Sequence, residues 1–130
     1  MKKGKRAIAK KKPTILIVED ENIIALDLQN TIEGLGWKVC AITPEGKESI
    51  RLAEMFYPDL ILMDIRLKGE MNGIEAAAVI RRDLNIPILY LTAHGDDDKK
   101  FSSITKNEAS FVPKPFSEQE LRSKMIKILS

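Results

Sequence analysis

Leu60-Ile61-Leu62-Met63-Asp64 sets four large apolar side chains in a row and ends the run on a carboxylate. Successive apolar residues without alternation are what a strand covered on both faces requires. Burying a carboxylate without a partner costs several kcal/mol, so Asp64 belongs at the top edge of a sheet. Similar runs lie on either side. Thr14–Val18 and residues 86–91 read the same way, and residues 38–42 and 110–112 complete five short segments rich in valine, isoleucine and leucine.

Between these runs the spacing becomes helical. Ile23, Ile24, Leu26, Leu28, Ile32 and Leu35 include the i, i+3, i+4 steps of one apolar face, with Gly34 and Gly36 as stop signals. Ile50, Leu52, Ala53 and Phe56 mark a second helix, ended by Pro58. Ile74, Ala77, Ala78, Ile80 and Arg81 belong to a third, ended before Pro87. A fourth is predicted over 97–106, with Asp96 as its N-cap. A fifth starts after Pro115, with Ser117 and Glu120 at capping-box spacing and Leu121, Met125, Ile128 and Leu129 as its apolar positions. Five strands alternating with five helices predict an α/β fold: one five-stranded parallel sheet, doubly wound, with helices on both faces.

Composition agrees and excludes other classes. Of 130 residues 44% are apolar and 31% charged, the balance of a globular domain. The single cysteine, Cys40, allows no internal disulfide, which points to a reducing compartment and a cytoplasmic location. One histidine and one cysteine are too few for a structural zinc site. No apolar run approaches the ~20 residues of a membrane span. The net charge of +2 hides an asymmetry. Residues 1–12, MKKGKRAIAKKK, hold seven Lys or Arg and no acid; the remainder holds 14 basic against 19 acidic side chains. The division expected is a flexible basic tail, 1–12, and a folded acidic domain, 13–130. The tail reads first as a solvated leader and second as an arm for nucleic acid, anionic lipid or an acidic partner. The folded domain itself has no nucleic-acid signature.

In a doubly wound sheet the working site lies outside the carboxyl ends of the strands. Those ends carry Glu19-Asp20-Glu21, then Asp64, then Thr92-Ala93, then Lys114-Pro115-Phe116. Three carboxylates in a partly dry place repel one another unless a hard cation bridges them, and an oxygen-only donor set points to Mg²⁺. Lys114 supplies a mobile positive charge and Thr92 a hydroxyl donor. A carboxylate nucleophile with a metal, an ammonium and a hydroxyl suits phosphoryl transfer through an aspartyl phosphate. Each residue has an ordinary use as well: Asp64 or Thr92 as a cap, the acidic trio at a helix N-terminus, Lys114 on the surface. Their convergence from four strand ends is what points to chemistry.

The chain resembles a response-regulator receiver domain of two-component signalling. The resemblance rests on Val18-Glu19-Asp20-Glu21, Leu62-Met63-Asp64, Asn72-Gly73, Leu91-Thr92-Ala93 and Val112-Pro113-Lys114-Pro115-Phe116, and it covers 13–130. It implies the flavodoxin-like strand order 2-1-3-4-5. It implies that Asp64 is the phosphoacceptor and that Asp20 ligates Mg²⁺, with Glu19 acting largely through water. The backbone carbonyl of Arg66 would be a further ligand. Thr92 and Lys114 would bind the phosphoryl group, and Thr92 and Phe111 would form the switch, Thr92 moving toward that group on activation and the Phe111 ring swinging inward behind it. A sensor histidine kinase or phosphotransfer protein would donate. The face of the fourth helix, fifth strand and fifth helix would signal to a downstream partner, relay or second copy. Such a domain, stand-alone or excised from a larger regulator, is a signalling module rather than an enzyme, catalysing only its own phosphorylation and dephosphorylation. Two departures stand out. Phe111 occupies a position often held by tyrosine, and Asp64 to Gly73 is one residue longer than the commoner version and lacks its proline. Arg66 is therefore expected to reach over the phosphoryl group.

Two other classes compete. A Mg²⁺-dependent phosphohydrolase with an Asp nucleophile would want a second acid two residues on, where this chain has Arg66. A flavin module would want a Ser-, Thr- and Gly-rich loop where this chain has Glu19-Asp20-Glu21. His94 and Asp96-Asp97-Asp98 read as loop and helix N-terminal residues, Cys40 as a small core residue, and Trp37 as packing at the entry to the second strand.

Overall fold

The computed structural model describes residues 12–92 and 110–130, and within them the apolar runs are strands. In chain order the elements are β1 (Thr14–Val18), α1 (Asn22–Gly34), β2 (Lys38–Thr43), α2 (Gly46–Phe56), β3 (Leu60–Asp64), α3 (Gly73–Asp83), β4 (Ile88–Thr92), β5 (Phe111–Pro113) and α4 (Glu118–Leu129). The helix predicted over 97–106 lies outside the described residues, so α4 is the fifth of the predicted helices. All strand pairings are parallel, in the order β2-β1-β3-β4-β5. This is the doubly wound order that the sequence resemblance implies.

The unbroken apolar character of β1 and β3 has a simple cause. Neighbouring side chains point to opposite faces, and both faces are covered. Leu16, Val18, Ile61 and Met63 join Leu52, Ala53, Ala76, Ala77 and Ile80 in the layer under α2 and α3. Ile15, Ile17, Leu60 and Leu62 join Leu28, Ile32, Leu121 and Met125 in the layer under α1 and α4. Strand β2 is one edge of the sheet and is only partly buried. Half-buried Cys40 packs on the first layer and half-buried Trp37 on the second, as expected.

The helix faces differ from the prediction at three places. Ala25, Leu28, Thr31 and Ile32 are the buried residues of α1, while Ile23 and Leu26 are 84% and 57% exposed. Six apolar residues in that segment span more than one face, and the small Ala25 lets its own face approach the sheet. Phe56, at the end of α2, is also exposed, and on α3 the buried pair is Ala76 and Ala77 rather than Ala77 and Ala78. No described helix is long and apolar enough to cross a membrane.

The junction between β3 and α3 bears directly on the site. Asn72 caps α3 by accepting from the Glu75 backbone N–H at 2.9 Å, and the Glu75 carboxylate accepts from the Asn72 N–H at 2.9 Å. Gly73 follows, and a Cβ there would stand 1.9 Å from the carbonyl oxygen of Asp64. Only glycine lets the helix start against the backbone of the last residue of β3.

Candidate functional site

The strand ends meet because parallel register carries them to one rim. Asp64, the last residue of β3, pairs with Leu91, and Thr92, the last residue of β4, pairs with Pro113. The Lys114 N–H extends this ladder by donating to the Thr92 carbonyl at 2.6 Å. On the other side of β3, the Glu19 N–H extends β1 by donating to the Thr43 carbonyl at 3.0 Å. The peptide bond between Lys114 and Pro115 is cis.

Glu19, Asp64 and Thr92 are buried at 2%, 4% and 4% exposure, so three polar groups sit in a largely dry rim. Lys114 Nζ lies 2.9 Å from Glu19 Oε1, 3.3 Å from Asp64 Oδ2 and 4.0 Å from Glu21 Oε1. Three further carboxylate oxygens are held by backbone. Asp64 Oδ1 accepts from the Arg66 N–H at 3.0 Å, Glu19 Oε2 from the Glu21 N–H at 3.1 Å, and Asp20 Oδ2 from the Lys68 N–H at 3.1 Å.

One ammonium does not balance this much negative charge. Burial, reinforced by the charge of Asp64, pushes the Glu19 carboxyl up to about 7 against the pull of Lys114. Burial also raises Asp64, against the opposing pull of Lys114 and the Arg66 N–H. Burial works to lower Lys114, but Glu19 and Asp64 outweigh it and hold the ammonium above its ordinary range. Glu19 Oε1 is in ionic contact with Lys114, yet among the described residues it is the one buried side-chain oxygen with no well-aligned hydrogen bond.

These features fit a cation. One oxygen each from Glu19, Asp20 and Asp64 lies within 4.8 Å of the others. The donors are all carboxylate oxygens, with no thiol or imidazole among them, a set suited to a hard divalent ion. The structure thus brings together Glu19, Asp20, Asp64, Thr92 and Lys114, all named from the sequence. Arg66 is at the rim with its side-chain region exposed and its N–H on Asp64. The Phe111 ring is 38% exposed, with Lys124 Nζ 5.5 Å from its centroid. The ring occupies the outer surface of β5 and is covered by a cation from α4. His94 and Asp96-Asp97-Asp98 lie outside the described residues. The sequence reading missed the Lys68 N–H on Asp20, because a backbone donor leaves no mark on residue type.

Comparison with known proteins bears on this geometry. The family model of the response regulator receiver domain matches residues 15–126. The transcriptional regulatory protein PdtaR of Mycobacterium tuberculosis is 33% identical over 107 residues, covering 82% of this chain and 52% of its own length. The phyllosphere-induced regulator PhyR of Methylorubrum extorquens is 33% identical over 115 residues, covering 87% of this chain and 42% of its own length. This chain therefore spans about half the length of these curated relatives. The solved signal receiver domain of a modulated diguanylate cyclase from Desulfovibrio desulfuricans G20 has a TM-score of 0.82 at 30% identity, covering 92% of this chain and 94% of that one.

Proposed function

The chain belongs to the response-regulator receiver family of two-component signalling, and we propose that Asp64 is its phosphoacceptor, with Lys114 and Thr92 as the groups that bind the phosphoryl oxygens. The observation that carries this reading is the reach of Lys114, from beyond β5, to both Glu19 at 2.9 Å and Asp64 at 3.3 Å. A cation placed between two buried carboxylates at a strand rim serves a reacting carboxylate better than it serves stability.

In this mechanism the Asp64 carboxylate attacks the phosphorus of a phosphohistidine. A P–O bond forms as the P–N bond breaks, and the bonding pair leaves with the imidazole nitrogen. Lys114 turns from Asp64 toward the transferred group, and the Thr92 hydroxyl donates to one of its oxygens. Glu19, Asp20 and Asp64 are the residues that would hold Mg²⁺, Glu19 largely through water, with the Arg66 carbonyl as a further ligand. When bound, Mg²⁺ offsets charge on the equatorial phosphoryl oxygens. Thr92 and Phe111 form the switch: Thr92 is buried one residue beyond Leu91, the register partner of Asp64, while Phe111, two residues before the register partner of Thr92, lies at the surface. The donor is a sensor histidine kinase or phosphotransfer protein in the cytoplasm. Output runs through β5, α4 and the segment before β5, to a downstream protein, a relay or a second copy. The domain is 13–130, preceded by the basic tail 1–12.

The test is phosphorylation by a small-molecule phosphodonor and by a histidine-phosphorylated transfer protein, read by intact mass. A gain of about 80 Da is expected with Mg²⁺, lost with EDTA and in Asp64→Asn. A gain that survives in Asp64→Asn moves the acceptor elsewhere. No gain in folded, Mg²⁺-treated protein from either donor overturns the reading.

A further inference from the structure

The loop between β3 and α3, residues 65–72, meets the acidic cluster through its backbone. Its Arg66 N–H donates to Asp64 and its Lys68 N–H to Asp20. Leu67, between them, is only 7% exposed and packs in the layer under α2 and α3. The two donors thus flank a side chain anchored in the core. The loop then returns past the start of α2, and there a second close fit occurs, beyond the one at Gly73. A Cβ on Gly46, the first residue of α2, would lie 2.7 Å from the Met71 carbonyl oxygen and 3.2 Å from that of Asn72. Both neighbours are backbone atoms and cannot swing aside.

Gly46 does not have a left-handed φ; among the described residues the glycines that do are Gly36 and Gly69. Its backbone conformation is open to any residue, and alanine is the better helix former. What demands glycine is the contact with the loop. We propose that Gly46 is a positioning residue for the metal site: by letting α2 close on Met71 and Asn72, it sets the height at which the Lys68 N–H reaches Asp20. This rests on the reading of Asp20 as a Mg²⁺ ligand. A loop pushed outward by half an ångström or so would stretch that 3.1 Å hydrogen bond out of its effective range and free the Asp20 carboxylate to turn. Partners that orient a ligand are commonly worth about 10-fold or more in metal affinity.

The test compares the wild-type chain with Gly46→Ala by two readouts: Mg²⁺ affinity by calorimetry, and amide hydrogen exchange of Lys68 without metal. The expected result is about tenfold weaker Mg²⁺ binding, with faster exchange at Lys68, in a folded variant. Lys47→Ala, which removes the exposed Lys47–Glu70 ion pair between the same two segments, should leave both readouts unchanged. If Gly46→Ala does not fold, an amide-to-ester replacement at residue 68 removes the N–H alone and should weaken Mg²⁺ binding similarly. Unchanged affinity and exchange in folded Gly46→Ala, or unchanged affinity in the ester, overturns the proposal while the phosphoacceptor reading stands. Absence of Mg²⁺ binding by the wild-type chain overturns both.

Discussion

In β3, Leu60, Ile61, Leu62 and Met63 are fully buried among apolar neighbours, while Asp64, one residue on, is buried against Glu19 and Lys114. The same strand passes from a layer where burial favours folding to a rim where it opposes the charged state of every group it covers. The middle of the sheet is complete by itself. The rim is stable in this arrangement because the middle holds it there, and its three clustered carboxylates, Glu19, Asp20 and Asp64, are a set that could hold a cation. Receiver chemistry needs that division: a rigid sheet to fix four strand ends, and strand ends that are better satisfied once loaded.

The comparison breaks if truncating the middle and loading the rim prove coupled. Leu62→Ala should cost about 2–5 kcal/mol of stability in urea denaturation, by the same amount with EDTA as with Mg²⁺. A loss that vanishes with Mg²⁺ would mean that the two regions are one. The next effect is the pH dependence of the rim. The Glu19 carboxyl, raised from 4.5 to about 7 in the folded chain, takes up a proton that the unfolded chain does not bind in that window. Its contribution to stability is therefore complete below about pH 4.5 and is lost as pH rises through about 7. Asp64, also raised, acts in the same direction. Metal-free protein should lose up to a few kcal/mol across this window, Mg²⁺ should flatten or reverse the slope, and Glu19→Gln should remove most of it. Urea midpoints at about pH 5 and 7.5 would show this.

Smaller effects sharpen the boundary. Asn72→Ala removes one half of the box that fastens α3 and should cost about 1 kcal/mol, read by thermal and urea unfolding. Ile23→Ser, close to the rim in sequence but on the outward face of α1, should change stability by no more than about 0.5 kcal/mol.

Much of this was legible in the residues. The unalternating runs of β1 and β3 announced a sheet covered twice, and Asp64 after four apolar residues announced a rim. Register then brought Glu19, Thr92 and Lys114 beside it. The outward turn of Ile23 and Leu26 was not legible, because an apolar-rich helix does not declare which of its faces the sheet will accept. The contact of Phe111 with Lys124 was not legible either, because a residue on the three-residue strand β5 carries no sign of which side chain of the following helix will meet it. Nor could the sequence show that Gly46 faces two carbonyls of a loop more than 20 residues away, since a glycine carries no sign of what approaches it.

Trp37, the chain's only tryptophan, is half-buried just before β2, whose first residue pairs with Thr14. The rim lies at the opposite end of that pairing, where Val18 meets Thr43. At about 3.3 Å per residue, the indole and the carboxylates are separated by roughly the length of the strand, on the order of 17 Å. Its emission is therefore a gauge of whether the sheet is folded, set apart from the chemistry at the other end. Direct quenching by a bound cation does not reach it, and a change in fluorescence on loading the rim would have to be mechanical, carried along the backbone of β1 and β2.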